Sequence, residues 1–203
     1  MLVLASASPR RKELLGTLVV SFQVLPANID ETPYEQEAPA DYVVRMAKEK
    51  AQASIHKYQQ QAADLQDKAA IFIASDTSVV IDGNILGKPA SLDEAKVMLR
   101  QLSGRSHQVL TSLCISNLEQ DHLVAKCVSS DVCFRDISDV EIEHYWRSGE
   151  PQDKAGSYAI QGLGAVFVRS MSGSYSAIVG LPLFETSQIL SQFGIHSLEV
   201  LSP

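Results

Sequence analysis

The chain has 203 residues, 45% hydrophobic and 20% charged, enough apolar material for the core of one domain or a closely packed two-lobed unit. Seventeen basic residues against twenty-four acidic ones give a formal charge of -7, which speaks against a broad nucleic-acid footprint but not against a small polyanion held by a local basic cluster. No stretch approaches the ~20 apolar residues of a membrane span, and the first residues lack the basic and apolar regions of a signal peptide, so a soluble, cytoplasmic protein without a membrane partner is expected.

In chain order, Leu2 to Ala5 reads as a short buried strand. Pro9 suits a first helical turn, with Ser8 as its N-cap, ahead of Leu14, Leu15 and Leu18. Phe22 to Leu25 is a second short strand, followed by a polar, Pro-containing loop. The segment ADYVVRMAKEKAQASIHKYQQQ has helical spacing, with Val43, Val44, Ala47 and Ala51 on one side, and QAADLQDKA after it reads as a solvated loop. The run AIFIASD, Ala70 to Asp76, predicts a buried central strand ending at its carboxylate. VVIDGNIL predicts a hairpin around Asp82-Gly83. SLDEAKVMLRQL is a capped helix closed by Gly104. HQVLTSLCIS and LVAKCVSSDVCFR predict two long antiparallel strands, and SDVEIEHYWRSG another capped helix. The tail is expected to alternate short strands, Gly-rich turns and a last helix around LFETSQILSQF. Cys114, Cys127 and Cys133 show no CxxC spacing and are expected as buried, reduced thiols in strands. No linker splits residues 1–203, so one mixed α/β domain is the expectation.

Four constellations carry chemistry. In LASASPRRKELL a helix N-terminus meets the hydroxyls of Ser6 and Ser8 and the guanidinium forks of Arg10 and Arg11. Such an end attracts anions, and arginine suits phosphate oxygens; the alternative is a capped helix with two exposed arginines. In ASDTSVV, Asp76 follows an apolar run, where a carboxylate is costly unless hydrated, paired or metal-bound. It could hold a divalent cation, accept a proton from an attacking water, or cap a turn through Thr77 and Ser78. Lys50, Lys88 and the acidic pair Asp30-Glu31 are each solvated surface unless they share a site with Arg10 and Asp76. In DKAGSYAIQGLGA, a short strand leads to Gln161, whose amide has one donor and one acceptor face. That matches the imide edge of uracil or thymine; otherwise the amide bonds nearby backbone. The five histidines show no HxxxH or HExxH spacing.

Together SASPRRKELL, YVVRMAKEKA, SDT, GKP, LSGRSHQV, DKAGSYAIQG and VGLP, in this order, resemble the Maf family of nucleoside triphosphate pyrophosphatases. The resemblance implies an inosine triphosphatase-like mixed α/β fold with two lobes around a central cleft. It also implies hydrolysis of a nucleoside triphosphate to monophosphate and pyrophosphate, with Mg²⁺ or Mn²⁺ as cofactor and a homodimer as an allowed assembly. By the same resemblance, Asp76 is catalytic base and metal ligand, with Glu31 a second metal ligand. Ser8, Arg10, Arg11, Lys50 and Lys88 contact the triphosphate. Arg10, Thr77 and Gln161 match the branch acting on dTTP and UTP, and depart from the SPW, SDQ and SEG pattern of the 7-methyl-GTP branch. Rival readings are a nucleotide-binding regulator of cell division, since the family is linked with septum inhibition, and a broader house-cleaning pyrophosphatase for non-standard nucleotides.

Overall fold

In the computed structural model, residues 1–26, 28–61 and 67–200 are described. Strand β1 (Leu2–Leu4) is buried along its whole length and lies parallel to β2 (Gln23–Val24) on one side and β3 (Ile71–Ile81) on the other. Parallel neighbours need crossover connections, and two helices supply them: α1 (Pro9–Gly16) and α2 (Pro39–Gln59). After β3 the chain turns at Asp82-Gly83 into β4 (Asn84–Leu86), with φ of 51° and 77° at the two turn residues. This is the expected hairpin. Helix α3 (Leu92–Leu102) follows, then the long ribbon β5 (Ser106–Asn117) and β6 (Leu123–Phe134), and α4 (Asp139–Arg147). A run of short 3₁₀ turns precedes β7 (Val168–Ser172), and α5 (Tyr175–Val179), α6 (Leu183–Gln192) and α7 (Ser197–Val200) close the chain. The seven-stranded mixed sheet has the order β2-β1-β3-β5-β6-β7, with β4 paired to β3. The fold is mixed α/β, as expected. Among the described residues no helix is long and apolar enough to cross a membrane.

The chain forms two compact units. The first holds Met1–Asp76, Thr111–Cys127 and Gly180–Pro203; the second holds Thr77–Leu110 and Val128–Val179. In the first unit, strand alternation sorts the core. Leu2, Leu4 and Ile73 pack with Leu15, Leu113, Leu181 and Leu190. Val3 and Phe72 join Leu25, Ile55 and Tyr58 instead. Beyond Phe72, a cluster of small side chains (Ala5, Ala47, Ala51, Ala74 and Cys114) fills the same sheet face. Small residues let a helix backbone sit close to the strands, which brings the polar side of α2 within reach of β3. In the second unit, Val79, Leu99, Val109, Val132, Phe134, Ile142 and Phe167 form the core. His107, Phe134 and Tyr158 pack edge to face within it. Ser91 caps α3, and Ser138 and Glu141 form a full capping box on α4.

Several expectations need correction. Strand β3 does not end at Asp76; it continues through Thr77 and Ser78 to Ile81. The buried Ser75 hydroxyl donates to the Gly180 carbonyl at 2.8 Å, so this polar run satisfies itself without leaving the sheet. The turn-capping alternative for Asp76 falls with it. No strand precedes Gln161, because Gly156 and Ser157 have φ of 66° and 63° and turn the backbone away from extended geometry. Val44 on α2 is half-buried; Met46, Ile55 and Tyr58 complete that buried face. The cysteines are free and lie in strands, but only Cys114 is fully buried. The loop expected after α2 lies partly outside the described residues.

Candidate active site

The N-terminus of α1 is built by its serines. The Ser8 oxygen accepts from the Arg11 amide at 3.5 Å, the capping bond expected from SxSP. The Ser6 oxygen accepts from the Ser8 amide at 3.2 Å and from Arg11 Nη1 at 3.3 Å. Arg11 is therefore not a loose surface side chain. Its Nε donates to the Gly180 carbonyl at 2.9 Å, the same oxygen that receives the Ser75 hydroxyl. One backbone acceptor thus ties the guanidinium to the residue beside Asp76. Burial pulls the Arg11 guanidinium below its usual range, while Asp76 and Glu31 pull it back and Arg10 adds to the lowering. Arg10 is half-buried on the first turn.

Asp76 faces α2. Lys50, on that helix, places its ammonium 2.7 Å from Asp76 Oδ1 and 2.7 Å from Glu31 Oε1. Lys50 and Asp76 side chains are each 12% exposed, whereas Glu31 is 51% exposed, so the pair with Asp76 is the desolvated one. A single cation between two carboxylates offsets the cost of burying Asp76. The Glu31 loop is fixed from α2 as well. The Tyr42 hydroxyl donates to the Glu31 carbonyl at 2.8 Å, and that phenol is pushed up to about 12 by burial and by Asp76 and Glu31. Arg45 grips Glu37 with two bonds of 2.7 Å, donates to the Thr32 carbonyl at 3.0 Å and lies over the Tyr34 ring at 3.7 Å. Its guanidinium draws the Glu37 carboxyl down to about 2.

Ser8, Arg10, Arg11, Glu31, Lys50 and Asp76 thus belong to the first unit, and Thr77, Lys88 and Gln161 to the second. Thr77 is half-buried in β3. Lys88 is exposed just after β4 and makes no ion pair or hydrogen bond among the described residues. Its loop is anchored by the Gly156 amide, which donates to the Gly87 carbonyl at 3.0 Å. The GKP and DKAG segments therefore meet. Gly156 is required there, since a Cβ would lie 2.8 Å from a Val79 methyl. Gln161 is exposed in the turn 159–162, closed by a bond from the Gly162 amide to the Ala159 carbonyl at 3.3 Å. Its amide does not bond to nearby backbone, contrary to one alternative above. Gly180, Tyr42 and Arg45 were not legible as parts of the site, because a carbonyl acceptor and a loop clamp leave no motif.

The comparison with protein families settles the lineage. The model described as Maf-like protein matches residues 1–193. The chain belongs to the Maf family. A Vibrio vulnificus protein named dTTP/UTP pyrophosphatase is 49% identical to this Maf chain, over 95% of it and 98% of the relative. A protein of the same name from Pseudoalteromonas atlantica is 49% identical, over 96% and 98%. One from Hahella chejuensis is 50% identical, over 96% and 92%. Among solved structures, a dITP/XTP pyrophosphatase from Mycobacterium abscessus aligns at a TM-score of 0.40 with 14% identity, over 67% of this Maf chain and 75% of that one. The Staphylococcus aureus Ham1 protein aligns at 0.39 with 16% identity, over 68% and 72%.

The donor set fits a hard divalent cation. Asp76 and Glu31 are oxygen donors that already converge on one positive centre, the Lys50 ammonium. Mg²⁺ is commonly held by one or two carboxylates, the rest of its shell coming from water and substrate phosphates. No group of three or more His, Cys, Asp or Glu side chains placed to hold a metal ion occurs among the described residues of this Maf chain. Phosphate and water would therefore have to complete the shell.

Proposed function

We propose that this chain hydrolyses dTTP and UTP to the nucleoside monophosphate and pyrophosphate. The observation that carries the reading is Lys50, 2.7 Å from both Asp76 and Glu31, in the unit that also presents the Ser8-capped helix and Arg11. Arg10, Arg11 and Lys50 bring three positive charges against two carboxylates, a balance that favours a polyanion. The names of the relatives point to the two pyrimidine nucleotides, and the Gln161 amide suits their imide edge.

In this reading the triphosphate lies at the N-terminus of α1, with Arg10 and Arg11 on its oxygens and Lys88 contributing further charge. Asp76 accepts a proton from water as its oxygen attacks the α-phosphorus. The bond to the bridging oxygen breaks in line, and pyrophosphate leaves with the electron pair. Lys50 and the arginines stabilise the charge that builds on the leaving group. A divalent cation held by Asp76 and Glu31 would supply Lewis-acid polarisation of the phosphate. Thr77 and Gln161 orient the nucleotide. A role in removing unwanted nucleotides in the cytoplasm, and assembly as a homodimer, belong to the same proposal.

The test is Asp76→Asn, with pyrophosphate release from dTTP expected to fall by about 10²–10³-fold or more in a variant that still folds. Near-normal turnover would remove Asp76 from the mechanism. Assaying pyrophosphate and orthophosphate separately across a nucleotide panel tests the bond cut. Orthophosphate released without an added pyrophosphatase would mean a different bond is broken.

A further inference from the structure

We infer that Glu150 is a positioning residue for nucleotide discrimination: it fixes the turn that presents Gln161. The inference rests on the base-reading role given to Gln161 above. Gln161 makes no side-chain bond of its own among the described residues, so its aim depends on the backbone that carries it. That backbone is held at both ends by one pair of side chains. Glu150 Oε1 accepts from the Tyr145 hydroxyl at 2.6 Å and from the Gly164 amide at 2.9 Å. Glu150 Oε2 accepts from the Leu163 amide at 2.9 Å. The Tyr145 oxygen in turn accepts from the Ala159 amide at 3.0 Å, on the other side of Gln161. A single carboxylate–phenol pair therefore grips residues 159, 163 and 164 and leaves 160 and 161 as the unbonded crest.

The glycines support this. A Cβ at Gly162 would collide with the Glu150 carboxylate. One at Gly164 would lie 2.7 Å from the Tyr145 hydroxyl and 2.8 Å from the Ala159 carbonyl. The GLG pattern after Gln161 is thus the space into which the carboxylate closes. The chemistry also requires an anion. Glu150 meets three donors with acceptor atoms alone, whereas an amide in its place would turn an NH₂ group toward at least one N–H. Misplacing a recognition group by about 1 Å can cost on the order of 10²-fold in rate.

The experiment is a double-mutant cycle between Glu150→Gln and Gln161→Ala, reading kcat/KM for dTTP, UTP, CTP and GTP. Glu150→Gln is expected to lower the dTTP:CTP preference by roughly 10-fold, chiefly by raising KM for dTTP. In the Gln161→Ala background the same change should have no further effect on that preference. Tyr145→Phe keeps the packed ring and should shift the preference the same way, which carries the test if Glu150→Gln fails to fold. Equal losses for all four nucleotides, or effects that add in the double variant, overturn the proposal and leave the Gln161 reading standing. If Gln161→Ala alone leaves the preference unchanged, the base-reading role falls and this inference falls with it.

Discussion

The two units arrange their functional groups in opposite ways. In the first, charged side chains hold one another: Lys50 bridges Asp76 and Glu31, and Arg11 is locked on the Gly180 carbonyl. In the second, the Lys88 and Gln161 side chains make no ion pair or hydrogen bond among the described residues, and the backbone beneath them is tied instead, at Gly87 and around 159–164. Mutually paired groups are pre-set for strong electrostatic work, but removing one leaves its partner uncompensated. Free groups on anchored loops can be removed without harming the fold. Function and stability should therefore be coupled in the first unit and separable in the second.

The largest effect should come from Lys50→Met. Loss of the bridge should cut kcat by about 10²–10³-fold and, by stranding Asp76, cost roughly 1–3 kcal/mol of stability. Lys88→Met, assayed beside it, should lose activity with no change in melting temperature. A melting shift in Lys88→Met, or none in Lys50→Met, would break the contrast. Next comes acid sensitivity of the second unit. Burial depresses His107 to about 4, against roughly 6.5 in an unfolded chain. The unfolded state thus binds the proton more readily. The stabilisation is complete above about pH 6.5 and is lost as pH falls toward 4, on the order of 3 kcal/mol in all. Hydrogen exchange should show the second unit loosening before the first across that window, and His107→Phe should flatten the dependence.

Gly156→Ala should cost about 2 kcal/mol, since the new methyl meets Val79 in a left-handed backbone position. Thermal unfolding measures that cost. The rate with saturating dTTP should change through the Lys88 loop alone. The smallest effect is expected for Arg45→Met, which removes the Glu37 and Thr32 ties of the Glu31 loop to α2 and leaves those from Tyr42 and Lys50. With that part of the loop less firmly held, kcat/KM should drop roughly 5-fold with nucleotide preference intact. A change in preference would show that the loop reaches beyond its own unit's chemistry.

Much of the fold could be read from the sequence because local signals and packing agreed. Ser8, Ser91 and Ser138 cap helices where the pattern places them, and Asp82-Gly83 makes its hairpin. The failure at Asp76 has a clear cause. A run of Ser, Asp, Thr and Ser reads as a strand end unless each polar group has a buried partner. Here the partners, Gly180 and Lys50, are distant in the chain. The strand expected before Gln161 failed for a related reason: its apolar residues are real core, but two left-handed residues and the Tyr145 hydroxyl set the path. Residue types at the candidate site were legible. The pairing of Lys50 with both acids was not, because spacing along the chain does not reveal which side chains converge.

The position of Asp76 inside β3 carries an evolutionary consequence. Ser75 serves one face of the sheet and Asp76 the other, and the strand is pinned against β1 by Leu4 and Ile73 and against β4 by Val79 and Leu86. Inserting or deleting one residue between those anchors would swap the two side chains across the sheet, with no slack at either end to absorb it. The length of that stretch should therefore stay invariant across lineages of this protein even where neighbouring loops grow and shrink.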